Sequence, residues 1–333
     1  MAEKIFVLGS NSFSGASFVD YALSLGATVN GASRSPEPNA AFLPYRWVND
    51  PTQRARFRFE QLDLNRDTDR IAKAIEDFRP DYVVNFAAQS MVAESWLYPE
   101  HWYQTNVVAN VRLHEKIRRF DFVKKYVHVS TPEVYGTCSG NVTEDQPFNP
   151  STPYAASRAA CDLHLMTFYK NYGFPVVFTR AANVYGPGQQ LYRIIPRTIL
   201  FITIGRKLQL HGGGRSVRSF IHIRDVAKGT LEVARQGVPG EAYHFSTPIT
   251  HSIREIVEVL CQKLGANFEK MVEVVGDRPG KDAAYLLDSA KARRVLGWED
   301  TISFEQGLDE TVGWLKNNLD ALRQQPFDYI HKP

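Results

Sequence analysis

The apolar run Ile5–Leu8 stops at a glycine, and the turn Gly9-Ser10-Asn11-Ser12-Phe13-Ser14-Gly15 leads directly into Ala16-Ser17-Phe18-Val19. A buried strand that passes through small residues straight into a helix belongs to a parallel βα unit. The free amides of the helix start then face whatever lies beyond the strand end. The rhythm repeats. Thr28–Ala32, Phe59–Leu64, Tyr82–Phe86 and Tyr126–Ser130 read as further strands between amphipathic stretches, Val176–Arg180 as a sixth, and Tyr243–Ser246 as a seventh. The seventh returns to the sheet after an excursion from Gly186 to Ile223, and the helix Ile253–Leu264 begins a different unit.

This pattern predicts an α/β chain: a Rossmann-type doubly wound parallel sheet with a smaller C-terminal α/β lobe. Residues 1–185 and 224–250 form the first unit, and residues 186–223 and 251–333 form the lobe. Ligands of such sheets lie beyond the carboxyl ends of the strands, where the glycine turn sits. The turn suits a pyrophosphate, although the same corner also occurs as a purely structural strand-to-helix connection. Its middle position carries Ser12 where a third glycine is expected. Asp63-Leu64, after the third strand, either touches an adenine or caps the next helix. At the end of the second strand a carboxylate normally receives a ribose 2′-hydroxyl. Here Ser33-Arg34-Ser35 offers none, and Arg34 favours NADP over NAD, with NAD still possible.

At 333 residues and 44% hydrophobic content the chain supplies a full core, and its net charge of +3 is scattered. No nucleic-acid or membrane-surface footprint follows. The three cysteines, Cys138, Cys161 and Cys261, are too far apart for a disulfide framework or a metal motif, so a cytoplasmic protein without a metal is expected. No run reads as a signal peptide or membrane span.

Val129-Ser130-Thr131-Pro132-Glu133-Val134-Tyr135-Gly136 leaves the fifth strand, and Pro153-Tyr154-Ala155-Ala156-Ser157-Arg158 opens a helix. With the glycine turn, Asn85-Phe86-Ala87-Ala88-Gln89-Ser90, Thr105-Asn106 and Asn183-Val184-Tyr185-Gly186-Pro187, they resemble the extended short-chain dehydrogenase/reductase family over nearly the whole length. Within it the chain is most similar to the nucleoside-diphosphate-sugar 4,6-dehydratases.

The resemblance implies a division of labour. Tyr154 is the base for the sugar 4-hydroxyl, Thr131 holds that hydroxyl, and Arg158 stands where most relatives carry the Lys that favours the phenolate and binds the nicotinamide ribose. Glu133 takes the carbon-5 proton that a 4-ketone makes acidic, which argues for elimination of water rather than simple epimerisation. Pro132 replaces an Asp of the dTDP-glucose type; the GDP-mannose type also lacks it. The cofactor would be held by Gly9, Asn11, Ser12, Phe13, Ser14 and Gly15, by Ser33, Arg34, Asp63 and Leu64, and by Ala87, Ala88, Gln89 and Asn106, with Tyr154 and Arg158.

The substrate, a nucleoside-diphosphate sugar, would meet Ser90, Thr131, Asn183 and the arginines Arg193, Arg218 and Arg278, whose guanidiniums suit phosphate oxygens. Helices around Trp102–Arg119 and Tyr154–Tyr172 carry apolar residues at helical spacing, and by resemblance pair across a two-fold axis as a four-helix bundle, giving a homodimer. A nucleotide-sugar epimerase and a UDP-glucuronate decarboxylase are the rival enzymes. Ser12, Pro132 and Arg158 also admit a catalytically inactive, cofactor-binding regulatory protein.

Overall fold

Successive residues of strand β1 (Lys4–Leu8) point to opposite faces of its sheet, and both faces are buried: Ile5 and Val7 on one, Phe6 and Leu8 on the other. That double burial is what a strand covered by helices on both sides requires. A computed structural model describes residues 2–138, 140–276 and 286–333. Beside β1 lie β2 (Thr28–Ser33), β3 (Phe57–Gln61), β4 (Tyr82–Asn85), β5 (Lys125–Val129), β6 (Val176–Ala181) and β7 (Ala242–Phe245). They form one parallel sheet in the order β7-β6-β5-β4-β1-β2-β3, with Leu8 opposite both Ala32 and Asn85. The order reverses between β1 and β4, so the loops after these strands diverge and leave a crevice.

One face is covered by α1 (Phe13–Ser24) and a later helix, Ile223–Gln236, through Phe18, Val19 and Leu231. The other is covered by α2 (Thr68–Phe78), α3 (Asn110–Ile117) and α4 (Pro153–Tyr172), through Ile71, Leu113 and Leu165. The third strand begins two residues earlier than its apolar run suggests and ends at Gln61. Leu62 and Leu64 leave the ladder and turn into the core, so they read as strand without being in it.

Outside the large sheet, Asn183–Tyr185 runs parallel to Val217–His222, which pairs antiparallel with Thr250–Ser252. A separate core gathers Ile195, Ile199, Leu208, Ile256, Leu260 and Trp314. No helix among the described residues is long and apolar enough to cross a membrane.

Candidate active site

The turn between β1 and α1 closes tightly. Gly9 has φ +75°, and a Cβ there would lie 2.8 Å from the Ala87 nitrogen; one on Gly15 would lie 2.1 Å from the Gly9 carbonyl oxygen. Ser12 needs no glycine, because its φ is −73°. Its hydroxyl donates to the Gly9 carbonyl at 2.7 Å and accepts from the Gly15 N–H at 3.1 Å, capping α1. The departure at Ser12 is therefore a working cap.

The Asn11 N–H reaches Ser33 Oγ at 3.1 Å, and its side-chain amide reaches the Ser35 carbonyl at 2.9 Å, tying the turn to the end of β2. Gly9, Asn11, Ser12, Ser33, Arg34, Asp63, Leu64, Ala87, Ala88 and Gln89 line one cavity of about 170 Å³. Phe13 does not join them: its ring is in the core, and Ser14 and Gly15 lie within the first turn of α1. Asp63 faces this cavity while its Oδ1 accepts from the Asn65 N–H at 2.9 Å. It shapes the turn before α2, whose cap position is Asp67. Arg34, also on this wall, is tied down: its Nη1 donates to the backbone oxygens of Lys332 at 3.0 Å and Pro333 at 2.6 Å.

The loop after β4 is fixed from below. Asn85 Oδ1 accepts from the Ala87 N–H at 2.9 Å, while its amide donates to Asn110 Oδ1 and to the Tyr126 hydroxyl, both at 2.8 Å. Asn106 lies in a π-helical segment, Gln104–Ala109, that runs into α3. Its Oδ1 accepts from the Gln89 N–H at 2.8 Å, and its Nδ2 donates to the Gln89 carbonyl and to Ser157 Oγ, each at 3.0 Å. One fully buried side chain thus joins the 86–90 loop to α4, and the widened helical turn aims it there. Ser90 is exposed at the end of the loop.

Thr131 follows β5 and caps a single 3₁₀ turn, Pro132–Tyr135; its Oγ1 accepts from the Glu133 N–H at 3.4 Å. Pro132 occupies the first helical position, where no N–H is needed. Thr152 caps α4 by accepting from the Ala155 N–H at 3.1 Å, which places Tyr154 in the first turn and Arg158 one turn on. Burial pushes the Tyr154 phenol up to about 12, and the Glu133 carboxylate adds to the rise. Arg158, a hydrogen bond with the Thr131 side chain and Arg193 pull it back. Thr131, Glu133, Tyr154, Arg158 and Arg193 are thus one electrostatic neighbourhood. Arg158 thus acts in the direction the sequence suggests, favouring the phenolate, while burial remains the larger effect.

Arg158 is also anchored within the protein. It is 2% exposed, and its Nη2 donates to the Val129 carbonyl and approaches His128 Nε2 at 3.3 Å. The guanidinium grips the end of β5 and reaches Tyr154 through its charge. Its Nε, buried, has no hydrogen-bond partner among the described residues.

Below it sits a buried group that sequence reasoning missed. Asp162 accepts from Ser130 Oγ and from Arg180 Nη2, both at 2.7 Å, and lies 3.5 Å from His128. The signal was available: His128 and Arg180 are polar residues inside otherwise apolar strands, and Asp162 lies one turn beyond Arg158 on α4.

Arg193 is exposed at the start of the helix Ile194–Thr203, its guanidinium 5.5 Å from the Tyr192 ring centre. Asn183 and Arg218 belong to the small sheet, where Asn183 Nδ2 donates to the Ser219 carbonyl at 3.3 Å and Arg218 is half-buried. Arg278 lies outside the described residues.

The sequence matches the family model described as GDP-mannose 4,6 dehydratase over residues 6–311. It is 32% identical over 339 residues to a dTDP-glucose 4,6-dehydratase of Neisseria meningitidis, covering 95% of this chain and 94% of that one. The fold is similar to the dTDP-glucose 4,6-dehydratase of Streptomyces venezuelae, solved with NAD bound: TM-score 0.86, 34% identity, 96% of this chain and 98% of that one. It also resembles a UDP-glucose 4-epimerase of Thermotoga maritima, with TM-score 0.85 and 26% identity, covering 95% and 99%.

Proposed function

Because the chain belongs to the extended short-chain dehydrogenase/reductase family of nucleoside-diphosphate-sugar 4,6-dehydratases, we propose that it converts a nucleoside-diphosphate sugar to its 4-keto-6-deoxy form. The observation that carries this reading is the pairing of a buried phenol, Tyr154, with a carboxylate, Glu133, that acts on it electrostatically. A simple 4-epimerase needs the phenol and has no use for the carboxylate.

The cavity between Gly9 and Leu64 suits the adenosine and pyrophosphate end of a dinucleotide: small residues crowd the turn, and the start of α1 opens toward it. The cofactor in this reading is NAD. Support comes from the engagement of Arg34 with backbone carbonyls and from the NAD bound in the Streptomyces venezuelae relative. Held there, such a cofactor would supply a hydride acceptor and donor for the sugar and a positive charge that favours the Tyr154 phenolate.

The protein's own groups do the rest. Thr131 orients the 4-hydroxyl, Tyr154 accepts its proton, and Glu133 removes the carbon-5 proton once a carbonyl at carbon 4 has made it acidic. With Pro132 unable to donate, Glu133 also delivers the proton with which the carbon-6 hydroxyl leaves as water. Arg158 steadies Tyr154 by charge from beneath. Asn106 shapes the cofactor side of the groove through Gln89 and Ser157. Ser90, Asn183, Arg193, Arg218 and Arg278 contact the nucleoside diphosphate sugar, held chiefly by the lobe of residues 186–223 and 251–333.

The protein works as a cytoplasmic homodimer. Leu163 on α4 and Tyr103 and Val108 ahead of α3 are exposed apolar side chains that a four-helix interface would cover.

The test is to incubate the purified protein with dTDP-glucose, GDP-mannose and UDP-glucuronate and weigh the products. Loss of one water from a sugar nucleotide supports the reading. Loss of carbon dioxide would identify a decarboxylase, an isomer of unchanged mass an epimerase, and bound cofactor without any turnover a regulatory protein.

A further inference from the structure

The end of β2 is where a fold of this type reads the adenosine ribose. Of the three residues there, Ser33 is engaged by the Asn11 N–H and Ser35 by Lys332, whose Nζ donates to Ser35 Oγ at 3.1 Å. Arg34 is held by the same distant segment through the carbonyls of Lys332 and Pro333. Across the crevice Gln89 Nε2 donates to the Lys332 carbonyl at 2.6 Å. One backbone oxygen therefore links the loop after β2 to the loop after β4.

The segment is docked by more than these bonds. The His331 ring stacks on Tyr98, His101 and Trp102 with centroids 5.0, 5.1 and 5.2 Å away, and its Nε2 is hydrogen-bonded with His101 Nδ1 at 2.8 Å. Tyr329 packs edge-on against Tyr192, and Arg197 Nη1 donates to the Phe327 carbonyl at 3.0 Å. Among the described residues, the wall of the 170 Å³ cavity includes none of residues 327–333. The segment runs along the rim of the groove and does not fill it.

We propose that residues 331–333 set the cofactor preference of this chain by engaging Arg34, so that its guanidinium is not free to take a 2′-phosphate. Both Nη1 hydrogens are engaged by carbonyls, so that edge of the guanidinium fork cannot close on a phosphate. The Lys332 ammonium is itself spent on Ser35 Oγ, so the preference turns on the engagement of Arg34. The inference rests on reading the groove as a dinucleotide site.

The test is direct titration of cofactor-stripped protein with NAD and with NADP, by calorimetry and without turnover, for the full chain, for a chain lacking residues 331–333, and for His331→Ala. The full chain binds NAD more tightly. Deleting 331–333 raises NADP affinity relative to NAD by about tenfold or more, the worth of one charge-assisted contact to phosphate. Arg34→Ala in the shortened chain cancels the gain, and His331→Ala, which loosens the segment, shifts the ratio the same way by less. An unchanged ratio with NAD still bound would overturn the role of the segment and leave the dehydratase reading intact. A preference of the full chain for NADP, or equal tightening of both dinucleotides on deletion, would overturn it too. Binding of neither dinucleotide to the full chain would overturn the reading of the groove, and this inference with it.

Discussion

Around the first turn of α4 the polar side chains are buried and tied to neighbours inside the protein, whereas around Arg193 and the small sheet the cations stand at the surface or half-exposed. Tyr154 is held by Thr131, Arg158 by the end of β5, Asp162 by Ser130 and Arg180, and Asn106 by Gln89 and Ser157. A reacting centre needs groups fixed before the substrate arrives, because reorganising them during the reaction raises the barrier. A diphosphate needs charges that adapt. On the proposed reading, the difference teaches that the chemistry sits in the buried half and recognition is left to the rim.

The sharpest way to break that division is Tyr154→Phe. Removing the phenolic proton acceptor lowers kcat by about 10³-fold, within the range of a lost general base, while thermal unfolding stays near that of the parent chain. A small change in kcat would move the base elsewhere.

Acid provides the next test, since it titrates histidines buried in the fold. Burial holds His114 and His128 well below 6.5, His222 at about 4 and His244 at about 3. The unfolded chain takes up protons near pH 6.5 and the folded one does not. The stability present above 6.5 is therefore lost as pH falls toward 4, by up to about 1.4 kcal/mol per pH unit for each histidine. Glu144 and Asp20, raised by burial, oppose this and reduce the slope without reversing it. Chemical denaturation at pH 7.5, 6 and 5 measures it; a flat profile would contradict the buried, neutral assignment.

Asn106→Ala leaves the Gln89 N–H and carbonyl and the Ser157 hydroxyl without their partner, and costs about 2 kcal/mol of stability in denaturant. Dinucleotide affinity falls with it, because the 86–90 loop is no longer tied to α4. Arg218→Ala has the smallest effect: KM for the nucleotide sugar rises about tenfold while kcat stays near that of the parent chain, as expected of a charge on the rim and away from the reacting atoms.

Much of this arrangement was legible in the residues. The sheet follows from apolar runs such as Ile5–Leu8 and Tyr126–Ser130, which are buried on both faces and so carry a strong local signal. Thr131, Glu133 and Tyr154 were legible because caps and a proline fix them to short motifs: Thr131 and Thr152 start their turns, and Pro132 and Pro153 follow. What escaped notice depends on distance in space. Arg158 reads as a lysine substitute on its helix, yet its partners lie on β5, some thirty positions earlier. Arg34 reads as a phosphate ligand because nothing near it in the chain shows that Lys332 and Pro333 reach it. Ser12 looked like a defect in a glycine pattern and is a helix cap, a distinction that only its backbone angles make.

The central claim is that Tyr154 and Glu133 serve successive steps, and Glu133→Gln tests it most directly in a single turnover followed by the absorbance of reduced nicotinamide. The account predicts that this variant, given its sugar nucleotide, accumulates reduced cofactor and releases no dehydrated product, whereas Tyr154→Phe never reduces the cofactor. A Glu133→Gln protein that forms the 4-keto-6-deoxy product at the parent rate would contradict it.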